Sequence, residues 1–158
     1  MILEKPTGSF IVLADDDQDD CLLFEEAFTE LDTGFQLKTV SDGDALVMFL
    51  HSADAFPAIV FLDLNMPRKN GRESLAIIKG SATLKELCIV IISTSFHPVE
   101  VEDLYELGAQ LYVHKPNSFE GLKSGISRAI DRSVQYNRKQ PPRSDFVITP
   151  DLVYEERR

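Results

Sequence analysis

The chain has 158 residues, 44% of them hydrophobic and 27% charged, with a formal net charge of −10. This size and composition are typical of a single globular domain and argue against a disordered or fibrous chain. The acidic balance argues against binding nucleic acid through its phosphates, because such binding depends on clustered lysine and arginine. No apolar run has the length of a membrane span, and Met1–Ser9 lacks the features of a signal peptide, so we expect a cytoplasmic protein.

Short apolar runs alternate along the chain with longer segments whose apolar residues recur at helical spacing. The pattern predicts five strands and five helices. The predicted strands are Phe10–Ala14, Phe35–Val40, Ala58–Leu62, Cys88–Ile92 and Gln110–Val113. The first helix carries the apolar stripe Cys21, Phe24, Phe28 and Leu31, and the others span Asp42–Ala53, Gly71–Lys79, Pro98–Leu107 and Ser118–Gln135.

The third and fourth apolar runs do not alternate with polar residues, which is typical of parallel strands covered by helices on both faces. The predicted fold class is therefore α/β, with a doubly wound parallel sheet. The alternating pattern stops near Tyr136, and the residues after it include the pair Pro141-Pro142. We accordingly predict a domain over residues 1–135 and a C-terminal tail over residues 136–158.

Polar side chains follow four of the predicted strands. In an open α/β sheet the ligand site lies beyond the carboxyl ends of the strands, so these side chains are expected to converge. They are Asp15, Asp16 and Asp17 after the first strand, Asp63 and Asn65 after the third, Ser93, Thr94 and Ser95 after the fourth, and Tyr112, His114 and Lys115 at the fifth.

Three of these carboxylates, Asp15, Asp16 and Asp63, would repel one another and raise one another's pKa. A hard divalent cation among them would remove this cost. Mg²⁺ fits best, because it is commonly bound by one or two carboxylates together with waters and phosphate oxygens. Asp17 is expected to have a simpler role as the N-cap of the first helix.

Asp63 follows an apolar strand and precedes Met66-Pro67, which places its carboxylate at the lip of the sheet. A carboxylate in this position can act as a nucleophile and form an acyl phosphate, while a bound cation and Lys115 offset the charge of the transferring phosphoryl group. Pro116 permits a cis peptide bond after Lys115. The three histidines form no catalytic pair in the sequence and are expected in surface or loop positions.

With these features, residues 10–135 resemble the receiver domain of two-component response regulators. The matching positions are the acidic pair Asp15-Asp16, the phosphoacceptor Asp63 in FLDLNMPRKNG, the hydroxyl switch residue Ser93 in IISTS, the aromatic switch residue Tyr112 and the lysine Lys115. The stretch LNMPRKNGRESLAIIK is also similar to the small single-domain regulators that partner bacterial phytochromes. This sequence departs from the family in having Ser93 where threonine is common.

The resemblance implies a flavodoxin-like strand order of 2-1-3-4-5 and a phosphoryl transfer from a sensor histidine kinase to Asp63. It implies that Mg²⁺ is held by Asp16, Asp63 and the backbone carbonyl of Asn65, with Asp15 acting through a water. It also implies that Lys115 pairs with the phosphoryl oxygens, that Ser93 bonds to one of them, and that Tyr112 turns inward. Such a protein signals rather than turns over a substrate, beyond its own phosphorylation and slow dephosphorylation.

Two rival functions use the same residue types. An aspartyl phosphatase of the haloacid dehalogenase type would need an aspartate as general acid two residues after Asp63, where this chain has Asn65. A degenerate receiver would normally have lost one of the acidic or lysine positions. A DNA-binding regulator is disfavoured, because the predicted tail is short and proline-rich for a helix-turn-helix unit.

The expected partners are a sensor histidine kinase and a second copy of the chain. Leu22 lies off the apolar stripe of the first helix and is expected on the kinase face. A homodimer is expected through the fourth helix, fifth strand and fifth helix, with the tail as an accessory arm. In that arm Phe146–Ile148 could form a strand on its own domain or on a neighbour's sheet edge.

Overall fold

The computed structural model describes residues 7–66 and 70–150. Its parallel sheet has the order β2-β1-β3-β4-β5-β6. The strands are β1 Phe10–Ala14, β2 Gln36–Val40, β3 Ile59–Asp63, β4 Ile89–Ser93, β5 Leu111–His114 and β6 Val147–Ile148. The helices are α1 Gln18–Leu31, α2 Gly43–Ser52, α3 Gly71–Gly80, α4 Pro98–Leu107 and α5 Phe119–Gln135. The predicted five helices, first five strands and strand order are confirmed.

Helices cover both faces of the sheet. Successive residues of a strand point to opposite faces, so each strand contributes side chains to two cores. Val12 and Val60 face a core that includes side chains of α2, α3 and α4. Ile11 and Phe61 face a second core with side chains of α1 and α5. All five residues of β1, β3 and β4 are buried, which explains their continuous apolar sequence.

The helix starts next to the strand ends are fixed by local polar contacts. Asp17 caps α1 as predicted, with its carboxylate accepting a hydrogen bond from the backbone N–H of Asp20 at 3.1 Å. Asn70 and Glu73 form a reciprocal capping box at the start of α3. A Cβ on Gly71 would lie 2.6 Å from the carbonyl oxygen of Asp63, so the close approach of α3 to β3 requires glycine. In the described ranges no helix is both long and apolar enough to cross a membrane.

The sheet also has a short sixth strand, within the segment Phe146–Ile148 for which the sequence left open a strand on its own domain or on a neighbour's sheet edge. Val147 and Ile148 of β6 pair in parallel with Tyr112 and Val113 of β5. Phe146, immediately before β6, is buried. The strand joins the sheet of its own domain, which the sequence could not decide because the place of so short a strand depends on tertiary contacts. Of the predicted tail, residues 136–150 are described, and residues 151–158 lie outside the described ranges.

Candidate functional site

Three carboxylates meet at the carboxyl ends of β1 and β3. The parallel pairing of Ala14 with Leu62 brings the next residues, Asp15 and Asp63, side by side. One carboxylate oxygen from each of Asp15, Asp16 and Asp63 lies within 4.8 Å of the others. Asp15 and Asp63 are buried, whereas Asp16 is exposed. The structure thus brings together the acidic residues that the sequence placed at strand ends.

The electrostatics of this cluster are unfavourable for two ionised buried carboxylates. Burial, followed by the charge of Asp15, raises the pKa of Asp63 to about 7. Burial also raises the pKa of Asp15, although the backbone N–H of Asp17 and the charge of Lys115 act in the opposite direction. The N–H of Asp17 lies 3.0 Å from Asp15 Oδ1, and the N–H of Asn65 lies 3.5 Å from Asp63 Oδ1. These few donors do not offset the crowding of negative charge.

This set of oxygen donors fits a hard divalent cation. Mg²⁺ and Mn²⁺ favour carboxylate oxygens, and a cation among the three groups would offset both the burial of Asp63 and the repulsion from Asp15 that raise its pKa. Asn65, the fourth predicted ligand, is exposed and follows Asp63 by two residues. The ligand role of its backbone carbonyl stays a prediction.

Lys115 lies beside the acidic cluster, immediately after β5. Its Nζ is 3.7 Å from Asp15 Oδ2 and 3.3 Å from Asp20 Oδ2. Its backbone N–H donates to the carbonyl of Ser93 at 2.6 Å, which ties the lysine to the end of β4. Sequence reasoning missed Asp20, whose only signal was its place in the acidic first turn of α1.

The peptide bonds of the described residues are all trans, so the bond between Lys115 and Pro116 is not in the cis form that proline permits. The trans form is the more stable one for most X–Pro bonds.

Ser93 and Tyr112 are connected through Ser95. The fully buried Ser93 has its Oγ 3.0 Å from Ser95 Oγ and accepts a hydrogen bond from the Ser95 N–H at 3.1 Å. The Tyr112 hydroxyl donates to the Ser95 carbonyl at 2.6 Å. Tyr112 is also fully buried, with its ring edge-on to Phe96 and near Phe146. It therefore already occupies the inward position that the resemblance associated with phosphorylation, because the Ser95 carbonyl and these rings provide its contacts.

The other polar residues named from the sequence lie apart from the carboxylates. Thr94 is exposed, and its carbonyl lies 3.2 Å from His114 Nε2. His51 and His97 are exposed, in agreement with the surface positions expected for them. Cys21 and Cys88 are free thiols, the first partly buried and the second buried.

Comparison with known proteins places this arrangement in a family. The sequence profile of the response regulator receiver domain matches residues 11–127. The chain belongs to the response regulator receiver family. The response regulator Rcp1 of Synechocystis is 32% identical over 124 residues, which cover 75% of this chain and 84% of Rcp1.

Two solved structures of receivers show the same fold. The phosphorylated cyanobacterial phytochrome response regulator RcpA has a TM-score of 0.72 and 29% identity, covering 86% of this chain and 100% of that one. The Mn²⁺-bound form of Rcp1 has a TM-score of 0.71 and 28% identity, covering 85% of this chain and 100% of that one. This receiver is thus similar to phytochrome response regulators and is a phosphoacceptor protein of two-component signalling. Receiver domains bind a divalent cation at their acidic site.

Proposed function

We propose that Asp63 is the phosphoacceptor and that it takes its phosphoryl group from a sensor histidine kinase. The observation that carries this proposal is the meeting of Asp15, Asp16 and Asp63 at one edge of the sheet, with Lys115 alongside. In the transfer, a carboxylate oxygen of Asp63 forms a bond to phosphorus as the phosphorus–nitrogen bond of the phosphohistidine breaks. The imidazole leaves with that electron pair.

The residues proposed to hold Mg²⁺ are Asp16, Asp63 and the backbone carbonyl of Asn65, with Asp15 acting through a water. When bound, Mg²⁺ would offset the negative charge of the carboxylates and of the incoming phosphoryl group. Lys115 adds a second positive charge at the same edge, and its ammonium group can donate to the phosphoryl oxygens. The Mn²⁺-bound form of the similar protein Rcp1 supports a divalent cation here.

The proposed switch runs from Ser93 to Tyr112. Ser93 Oγ would donate to a phosphoryl oxygen on Asp63 and thereby weaken its contact with Ser95. Because the carbonyl of Ser95 accepts from the Tyr112 hydroxyl, a shift of this loop changes the contacts of Tyr112. The chemical event at Asp63 would in this way alter the surface around β5.

Chemical phosphorylation tests the assignment of Asp63. Incubation with acetyl phosphate and Mg²⁺ should add one hydroxylamine-labile phosphoryl group, measured by intact-protein mass spectrometry. Asp63→Asn should remove the labelling, whereas Asp19→Asn, an equal charge change at an exposed position, should preserve it. Labelling of Asp63→Asn at the rate of the unmodified protein would refute the proposal. Steady release of phosphate from monoesters would instead favour the phosphatase alternative.

The kinase is proposed to bind at the start of α1. The proposed compartment is the cytoplasm, where the ATP from which such kinases are phosphorylated is available. Leu22 and Leu23 are 58% and 47% exposed there. Beside them is a cleft of about 280 Å³ whose lining includes Asp20, Leu23, Lys115 and Phe119. The similarity to RcpA suggests a phytochrome-like kinase.

A charge substitution separates kinase binding from the chemistry at Asp63. Leu22→Arg should slow phosphotransfer from the cognate kinase and leave acetyl phosphate labelling unchanged. Met48→Arg, at a 71% exposed position on α2, is the matched control and should affect neither reaction. Equal loss of both reactions in Leu22→Arg would show a folding defect and remove the support for a kinase face.

We also propose a homodimer in which the C-terminal segment acts as an interaction arm. The arm begins at residue 136. The segment occupies the face of α4, β5 and α5 that we expected to form the dimer. Arg143 pairs with Glu102 and Glu106 of α4, and Tyr105 donates to the carbonyl of Pro141 at 2.7 Å. The same contacts made between two copies would exchange the arms and close a symmetric dimer.

Light scattering with and without beryllofluoride tests this dimer in the full chain and in a chain ending at Gln135. The full chain is expected to dimerise when beryllofluoride and Mg²⁺ are present, and the shortened chain is expected to remain monomeric. A monomer in all four conditions would refute the dimer. A dimer that persists after truncation would leave the arm without a role in assembly. No nucleic-acid partner is proposed for this acidic chain.

A further inference from the structure

Lys115 has an ion-pair partner outside the set of residues that the receiver family assigns to phosphoryl transfer. Its Nζ lies 3.3 Å from Asp20 Oδ2, closer than the 3.7 Å that separates it from Asp15 Oδ2. In the parts of the chain that the structure describes, no ion pair joins Lys115 to Asp63. The ammonium group is therefore paired on the α1 side of the site, although its charge still acts on Asp63 and lowers the pKa of that carboxyl against the larger effect of burial.

The backbone holds Asp20 in this position. Asp20 lies in the first turn of α1, and its own N–H is bonded to the capping carboxylate of Asp17 at 3.1 Å. The side chain of Asp20 is 41% exposed, while that of Lys115 is 15% exposed. Both residues line the cleft between α1 and the start of α5. The carboxylate of Asp20, on the capped helix α1, thus faces Lys115, which follows β5 and is bonded through its backbone to the end of β4.

We infer that Asp20 is a positioning residue that competes with the phosphoryl group for Lys115. The inference rests on the proposed role of Asp63 and Lys115. Once Asp63 carries a phosphoryl group, its oxygens offer Lys115 stronger acceptors than a partly exposed carboxylate does. Lys115 then leaves Asp20, and the loss of that pair opposes the phosphorylated state. Asp20 acts on the reaction only through Lys115.

The expected size of the effect is modest, because a partly exposed ion pair is screened by water and salt. Replacing Asp20 by asparagine should raise the affinity for beryllofluoride, a mimic of the phosphoryl group, by about threefold. This is about 0.65 kcal/mol at 1.36 kcal/mol per factor of ten. An increase in affinity is informative, because damage to the structure would lower it.

The experiment measures the apparent dissociation constant of beryllofluoride at saturating Mg²⁺ for the full chain and its variants. Asp19→Asn is the matched control, since it removes the same charge from the neighbouring exposed residue of α1. Asp20→Glu keeps the carboxylate and should restore an affinity close to that of the unmodified chain. Thermal unfolding of each variant checks that the fold is intact.

A double-mutant cycle tests whether Asp20 acts through Lys115. In a Lys115→Met background, Asp20→Asn should change the affinity no more than Asp19→Asn does. The inference is overturned if Asp20→Asn behaves like Asp19→Asn in the unmodified background, or if its effect persists in Lys115→Met. Failure of the unmodified chain to bind beryllofluoride would contradict the proposed function itself, which distinguishes the two failures.

Discussion

Two ionisable groups with shifted pKa values, the partly buried Lys79 and the buried Asp63, lie at opposite ends of the sheet, and their surroundings differ. Lys79, at the end of α3, lies near the amino ends of β4 and β5. Its Nζ donates to the carbonyls of Lys85 at 3.0 Å and Leu87 at 2.7 Å, and to Gln110 Oε1 at 3.3 Å. Gln110 Oε1 also accepts from the backbone N–H of Ile89 at 2.7 Å. All three donors of the ammonium group therefore have oxygen partners.

Asp63 has the opposite surroundings at the carboxyl ends of the strands. It lies beside two more carboxylates, and among the described residues its one backbone donor is the Asn65 N–H at 3.5 Å. Burial lowers the pKa of Lys79 to about 8 and raises that of Asp63 to about 7. A perturbed pKa alone does not distinguish these groups. Their hydrogen-bond partners do: the ammonium group of Lys79 has an oxygen partner for each of its donors, whereas Asp63 lies in a set of carboxylate oxygens that fits a cation.

The largest expected effect is the loss of stability when Lys79 is replaced. Lys79→Met removes the donors to three oxygen atoms, two of them backbone carbonyls, and should lower the free energy of unfolding by about 3 kcal/mol. Chemical denaturation measures this change. Lys85→Met, at an exposed position in the following loop, should change stability by less than about 0.5 kcal/mol. Equal small effects at both positions would show that Lys79 is not a structural group.

The sequence was sufficient to predict the end of the sheet that carries the site, because polar residues directly follow strands there. Asp15, Asp16 and Asp63 could be placed together from the rule that parallel strands end at one edge. Lys79 could not be recognised in the same way. Its partners are backbone carbonyls and a glutamine 31 residues away, and neither leaves a pattern in the sequence.

The change of stability with rising pH should have opposite signs for Asp63 and Lys79, which lie at the two ends of the sheet. The pKa of Asp63 is raised to about 7 in the folded state, so between about pH 4 and 7 the folded chain binds more protons than the unfolded one. Without divalent cations, this group should therefore reduce stability as pH rises through that range. After allowance for screening at the open edge, Asp63→Asn should be more stable than the unmodified chain by about 1–2 kcal/mol at pH 8, and by less at pH 5.

Unfolding in urea with a chelator, at both pH values, measures that difference. The comparison between the two proteins cancels the titration of shared groups that lie away from Asp63, and it retains the mutual effect of Asp63 and Asp15. A constant difference from pH 5 to pH 8 would contradict the raised pKa of Asp63 that its burial and the charge of Asp15 produce.

The smallest expected effect is the alkaline response of Lys79. Its pKa is about 8 in the folded state and about 10.5 when unfolded, so above pH 8 the unfolded chain binds more protons. Lys79 should therefore increase stability as pH rises from 8 to 10.5. A shift from 10.5 to about 8 corresponds to a gain of about 3 kcal/mol at most, and screening at this partly exposed side chain should reduce it to about 1 kcal/mol. Urea unfolding of the unmodified chain relative to Lys79→Met should show this positive slope, and a negative slope would contradict the account.

The partner of Lys115 and the place of the short strand within Phe146–Ile148 could not be fixed from the sequence, for the same physical reason. Asp20 reaches Lys115 only because α1 and the end of β5 are adjacent in the fold, 95 residues apart in the chain. Strand β6 has two residues and depends on the burial of Phe146 against Tyr105 and Tyr112. Both result from tertiary contacts, whereas the first five strands each have an apolar run of their own.

The central claim is that the crowded carboxylates form a cation site, and a titration of stability with Mg²⁺ tests it most directly. At a hundredfold excess over the dissociation constant, Mg²⁺ should raise the free energy of unfolding by about 2.7 kcal/mol. Asp16→Ala should lose this response, while Asp19→Asn should retain it. An unchanged free energy of unfolding across millimolar Mg²⁺ in the unmodified chain would contradict the claim.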